Sequence, residues 1–299
     1  MSIHDSFPRI ESPQGAVVVG VDGSASAERA VRWAARLASA RHRPLHLVHA
    51  LALASLGSSF ADAYLDAPAV IDALRAGGRT IVDRASTIAA EEDPELVVST
   101  ELSSETPVAT LVRLSEVAYQ LTLGEPAAAH SIGSTAIAVA SHSKCPVVVA
   151  RGDTRPSRRP VVVGIDGSSV SETATALAFY EASNRRTNLV AVHVCNDFTH
   201  GALARHAPVA DQDPTRCAIL AERLAGWQDK YPDVPVQKYV YLDGPREHLT
   251  EWSTRAQLVV VGSRGRGGIR GVAIGSTSNA LVLQSHCPVL VVRPQESST

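Results

Sequence analysis

A nine-residue segment occurs twice in this chain of 299 residues, as Ala16-Val-Val-Val-Gly-Val-Asp22-Gly23-Ser24 and as Pro160-Val-Val-Val-Gly-Ile-Asp166-Gly167-Ser168. Seven of the nine positions are identical, at an offset of 166 − 22 = 144 residues. Gly133-Ser134-Thr135 returns as Gly275-Ser276-Thr277, and Lys144-Cys145-Pro146 as His286-Cys287-Pro288, both at an offset of 142. Near-constant offsets over a whole chain signal a duplicated unit, so the fold must be one that half of this chain can form. The join is Arg151–Pro160, a basic, proline-containing stretch of the kind that links domains. Two domains are expected, residues 1–152 and 158–299, with residues 1–14 a loose polar lead-in.

Each half alternates short β-branched runs with amphipathic segments. In the first half, strands are predicted over 16–21, 45–50, 96–102, 120–123 and 146–150. Helices are predicted over 26–40, 69–90 and 107–119, with a last helix before the final strand. Ser24 or Ser26 can cap the first helix, and 51–68 reads as a loop or a short helix. The second half predicts strands near 160–165, 189–194, 236–242, 257–262 and 288–293, and helices near 169–184, 214–230, 245–255 and 276–285. Alternation of this kind implies right-handed crossovers and a parallel sheet covered on both faces. Ligands of such sheets sit beyond the carboxyl ends of the strands, where Asp166 and Gly262 both fall.

The Val-Val-Val-Gly262 strand runs into Ser-Arg-Gly265 and a loop rich in glycine and arginine, then Gly275-Ser276-Thr277 opens a helix. Strand, glycine loop and helix N-terminus together present backbone N–H groups to an anion, with Ser276 and Thr277 adding hydroxyls. A Walker loop would need lysine where Gly268 stands, and a dinucleotide fingerprint would need glycine in place of Arg270. The spacing found is Gly262, two residues, Gly265, nine residues, Gly275-Ser276. With the preceding Val-Val-Val strand, it resembles the ATP-binding signature of the universal stress protein family, and the resemblance extends over nearly the whole chain.

That resemblance implies two tandem five-stranded parallel-sheet domains, Rossmann-like and of the adenine nucleotide alpha hydrolase type. It places Asp166 at the adenine and ribose, with Gly164 and Ile165 beside it and Val194 packing on adenine. Val261 and Gly262 would flank the nucleotide, Gly265 and Gly275 approach its phosphates, and Ser276 and Thr277 donate to them. It further implies that the last strands, Pro146–Ala150 and Pro288–Arg293, pair within one chain as a pseudo-dimer, with homodimers of whole chains also expected. The first half keeps Asp22, Gly133, Ser134 and Thr135, but Gly124 to Gly133 spans 9 residues where Gly262 to Gly275 spans 13. Ala127 stands at the second glycine's place, Glu125 adds negative charge, and Pro126 removes an N–H donor. The first site is expected to be weak or empty.

A formal net charge of −2 gives no field to draw nucleic acid or anionic lipid. No apolar run approaches a membrane span and no signal peptide is evident, so a cytoplasmic protein is expected. Four cysteines without metal-like spacing make no disulfide framework, and the equivalence of Cys145 and Cys287 follows from duplication. His46 and His49 fall on opposite faces of a strand, which argues against a metal site with His42. Trp33, Trp227 and Trp252 sit in helical patterns as packing residues, and His248 is expected to face solvent. Arg264, Arg266 and Arg270 are candidate phosphate or partner contacts. The chain offers phosphate ligands but no evident general base, Walker lysine or acidic metal site. The expectation is an ATP-binding regulator, with or without Mg²⁺ and with an unidentified protein partner, rather than an enzyme. The rivals are a nucleotide-independent scaffold and, on fold analogy alone, an adenylate-transferring enzyme.

Overall fold

A computed structural model describes residues 14–53, 67–125, 135–194, 214–265 and 274–294. The chain divides into two compact units at Thr122/Leu123. In the first, β1 (Val17–Gly20), β2 (Leu45–Ala50), β3 (Val98–Ser103) and β4 (Gln120–Gly124, reaching into the second unit) run parallel in the order β3-β2-β1-β4. Val17, Val18 and Val19 are buried because helices cover a parallel sheet on both faces, which is why β1 reads as a continuous apolar run. Helix α1 (Ala25–Ala40) is capped by Ser24, whose side chain accepts from Ala27 N, while Ser26 Oγ only bonds to Ser24 Oγ. Ion pairs from Glu28 to Arg84 and from Arg32 to Glu91 tie α1 to α2 (Ala67–Glu92).

Helix α3 (Pro107–Leu114) is five residues shorter than its sequence pattern (119 − 114 = 5). The chain turns out of it so that Tyr119 N can bond to Ala16 O and Val117 O can accept from Gly15 N, which aligns β4 with β1. Backbone pairing at the sheet margin thus overrides a helical pattern that was locally adequate.

The second unit holds α4 (Thr135–His142), β5 (Val147–Ala150), β6 (Val161–Ile165), α5 (Ser169–Asn184), β7 (Leu189–Val194), α6 (Pro214–Lys230), β8 (Val236–Tyr241), α7 (Pro245–Ser253), β9 (Leu258–Gly262), α8 (Ser276–Gln284) and β10 (Val289–Val292). Its strand order is β5-β10-β9-β6-β7-β8. β10 with β9, β9 with β6, β6 with β7 and β7 with β8 pair in parallel, whereas β5 and β10 run antiparallel with Val148 opposite Leu290, so the sheet is mixed. This pairing explains why the packing boundary falls inside β4 and not at the linker: β5 belongs to the first repeat in sequence and hydrogen-bonds to the second. Phe179 of α5 is fully buried and stacks on Trp227 and Tyr231, giving the helix layer over β6 its centre.

Candidate functional site

Strands β6 and β9 are parallel neighbours with Val163 opposite Val260, so Asp166 and Gly262 emerge at the same edge of the sheet. On the other side of β6, Ile165 is opposite His193, which puts Val194 level with Asp166. A tight turn at Gly167, φ +77°, leads from Asp166 into α5, a left-handed conformation that favours glycine. The Asp166 carboxylate accepts from both the amide and the hydroxyl of Ser168, at 2.9 and 2.7 Å, while Ser168 Oγ also caps α5 through Ser171 N. Ser171 Oγ in turn accepts from Asp166 N at 3.2 Å. The carboxylate is fixed in direction before any ligand arrives.

The glycines of the loop differ in what demands them. A methyl group on Gly164 would meet Leu249 at 2.9 Å, and one on Gly262 would meet Val170 Cγ1 at 2.9 Å; both serve packing. A methyl group on Gly265 would collide with Asp166 Oδ2, so the two sequence motifs touch here. Gly275 is different. Its φ of −68° suits any residue, and among the described residues a methyl group there would come no nearer than Ser263 O, Arg264 Cα and Gly265 N, at 3.5, 3.6 and 3.8 Å. It stands at the N-cap of α8, where among the described residues no side chain caps the helix, and its own N–H bonds to Ser263 O at 2.7 Å. Ser278 Oγ donates to Gly262 O at 2.6 Å and anchors the first turn of α8 to the end of β9. Ser276 is exposed and Thr277 half-buried, while Ser263 is fully buried with its Oγ unpartnered among the described residues.

Residues 15–151 and 157–293 each match the sequence profile of the universal stress protein family. The chain belongs to that family. A universal stress protein of Mycobacterium tuberculosis is 42% identical over 291 residues, covering 94% of this chain and 97% of its own. One from Mycolicibacterium smegmatis is 40% identical, covering 93% and 97%. A solved universal stress protein from Archaeoglobus fulgidus superposes with a TM-score of 0.73 over 96% of this chain and 99% of its own, at 17% identity. At that identity the likeness speaks to the fold.

In the first repeat of this universal stress protein, Asp22 is exposed, and its Oδ1 accepts from Ser24 N at 3.0 Å. Thr135 opens α4, whereas Gly133 and Ser134, with Arg266 and Arg270 of the second loop, lie outside the described residues. Two site-shaping residues escaped the sequence reading. His49 Nδ1 lies 2.7 Å from Val21 O, and His193 Nδ1 lies 2.7 Å from Ile165 O; a carbonyl only accepts, so Nδ1 carries the proton in both. Each histidine holds the strand end just before the aspartate. The signal was available in the repeat, since both histidine and carbonyl recur at the 144-residue offset.

His248 corrects an expectation. It is buried, stacked on Tyr241 at 3.7 Å between ring centroids, because Tyr241 at the end of β8 needs cover from α7. Burial raises the Tyr241 hydroxyl's pKa against the opposing hydrogen bond from Trp252 Nε1. Burial also pushes the Cys287 thiol up to about 12, so the thiolate that redox or nucleophilic chemistry needs is scarce near neutral pH. Among the described residues no helix is long and apolar enough to cross a membrane, and no group of three or more His, Cys, Asp or Glu could hold a metal ion.

Proposed function

We propose that this universal stress protein binds one ATP at its second repeat and works as a nucleotide-dependent regulator rather than as an enzyme. The observation that carries this reading is Gly275. Neither its backbone angles nor its described neighbours call for glycine, yet it stands at the N-terminus of α8, uncapped among the described residues, beside Gly265 and Asp166. An absent side chain and open helix amides suit the close approach of phosphate oxygens. Ser276 and Thr277 would add hydroxyl donors, the oriented Asp166 carboxylate would accept from ribose hydroxyls, Val194 would pack on adenine, and Val261 and Gly262 would flank the nucleotide. Ile165 and Gly164 shape the strand end beneath them.

A divalent cation would enter on the phosphates themselves, since Asp166 is a single carboxylate already engaged by Ser168. Regulation then rests on differential affinity: nucleotide favours whichever conformation or assembly binds it better, and a protein partner reads the difference. The same reading places the protein in the cytoplasm and allows whole chains to associate as homodimers. Calorimetric titration of the intact chain with ATP, with and without Mg²⁺, tests it. One site per chain is expected; two equal sites would overturn the assignment to the second repeat. No binding would favour a nucleotide-independent scaffold.

A further inference from the structure

Helix α8 is held at its far end by a residue of the first repeat. Arg151, which directly follows β5, has only 12% of its side chain exposed. Its Nε donates to Ser285 O and its Nη1 to Val282 O, both at 3.1 Å, which are carbonyls at the C-terminus of α8. The third nitrogen, Nη2, lies 3.8 Å from Glu125 Oε2. Burial disfavours the arginine's charge and lowers its pKa, and Glu125 pulls the other way. Glu125 is the residue after Gly124, at the point where the second repeat has Ser263 after Gly262.

The arrangement has a partial mirror image. Arg293, 142 residues on, donates from Nε to Ser143 O just beyond α4, but its repeat has no carboxylate at position 263. The acidic residue that opens the first repeat's shortened loop therefore serves as counter-ion to the arginine that caps the second repeat's phosphate-facing helix. A cation at a helix C-terminus and an anion at its N-terminus both stabilise the helix dipole. Over nine residues the two ends of α8 are only about 13 Å apart, so fixing one end limits where the other can move.

We infer that Arg151, oriented by Glu125, is a positioning residue through which the first repeat sets the phosphate affinity of the second. The proposal rests on the nucleotide-binding reading above. It also explains how a repeat whose own glycine signature is broken keeps a part in the function. The loop that is shortened and lacks the second glycine carries a carboxylate that supports its neighbour's helix.

The test uses the full chain and two readouts. Hydrogen exchange of the α8 amides, measured without nucleotide, should quicken in Arg151→Ala and stay near wild type in Arg293→Ala. ATP affinity should fall about five- to tenfold in Arg151→Ala, because nucleotide would then have to order a helix that Arg151 no longer holds. Arg151→Lys, which keeps the charge but not the fork, should recover part of that loss. Glu125→Gln should cost about twofold, and adding it to Arg151→Ala should cost nothing further, because the two act as one unit. Wild-type ATP affinity in Arg151→Ala, or no rescue by lysine, would overturn the proposal. So would an Arg293→Ala loss equal to that of Arg151→Ala. If the wild type itself binds no ATP, the functional reading fails; α8 exchange then still shows whether Arg151 holds the helix.

Discussion

At Asp166 the carboxylate is gripped by the amide and the hydroxyl of Ser168 and lies against the backbone of Gly265. At Asp22, the equivalent position of the first repeat, the amide of Ser24 takes the carboxylate, the Ser24 hydroxyl is engaged by Ser26 and Ala27, and the side chain is exposed. The histidine beneath each aspartate is the same in both repeats, and so is the left-handed glycine after it. Duplication therefore kept the strand-end turn twice, while the Gly-x-x-Gly spacing after the fourth strand was kept once, as Gly262 and Gly265. On the proposed reading, the aspartate that lies against Gly265 is the one that serves a ligand.

The largest effect should come from the glycine loop of the second repeat. Gly275→Trp fills the place where phosphate would approach and removes access to at least two charge-assisted hydrogen bonds. Each is worth about 1.5–3 kcal/mol, so ATP affinity should fall roughly hundredfold or more. Gly133→Trp in the first repeat should leave affinity within about twofold. Calorimetry on both variants, with circular dichroism to show that each is folded, decides the matter. Equal losses would mean that both repeats bind.

The same loop separates glycines of the fold from glycines of the ligand. Gly262→Ala forces a methyl group to 2.9 Å from Val170 Cγ1 and should cost about 1–3 kcal/mol of stability through overpacking. Gly275→Ala meets ordinary contacts and gives up only glycine's modest advantage at an N-cap, so urea denaturation should find it within about 1 kcal/mol of wild type. A matching loss at both positions would remove the argument that Gly275 is reserved for a ligand.

Beneath the rim the repeats differ in the opposite sense, with the polar network in the first. Buried His46 sits 3.2 Å from Glu101 and 2.9 Å from Ser99, and Arg113 joins Glu101 to Glu105. The second repeat puts Tyr239 at the place of Glu101, packed on Trp252. Burial tends to raise the Glu101 carboxyl, but the hydrogen bonds from His46 and Arg113 outweigh it and hold its pKa below the ordinary value. A depressed carboxylate stabilises the fold above its unfolded pKa and loses that contribution as pH falls through its folded one. Glu101→Gln should therefore cost about 1–3 kcal/mol at pH 7, and the gap should close as the pH drops below about 4. Denaturation at pH 7 and at pH 3 measures it; a gap that does not change with pH would place the loss in packing instead.

Much of this was legible in the chain because duplication states the same physical problem twice. Helices α5 and α6 begin and end where the sequence predicts them. The meeting of Asp166 with Gly265 follows from strand order once the sheet is known to be parallel. What was not legible depends on partners distant in sequence. His248 is buried by Tyr241, and α3 stops at Leu114 for the sake of backbone pairing with residues 15 and 16. The Glu125–Arg151–α8 contacts join residues up to 285 − 125 = 160 positions apart, where no local pattern could announce them.

The smallest effect is also the finest test of the comparison. Asp166→Ala removes a pre-oriented acceptor for ribose hydroxyls but leaves the phosphate donors of α8 in place. A net hydrogen bond is worth about 0.5–1.5 kcal/mol, so ATP should bind roughly three- to tenfold more weakly. The carboxylate also holds Ser168, whose hydroxyl caps α5, so some of the loss could come through the fold. Asp22→Ala supplies the control, because Asp22 makes the equivalent amide contact at the start of α1, in the repeat that has Ala127 where the second has Gly265. It should reproduce the loss of the amide contact and leave ATP affinity unchanged. A second control uses adenosine, which has the ribose but no phosphate: Asp166→Ala should weaken adenosine by the same factor as ATP, whereas Gly275→Trp should spare adenosine relative to ATP. If Asp166→Ala spares adenosine and weakens ATP alone, the carboxylate acts on the phosphate end, and its assignment to the ribose is wrong.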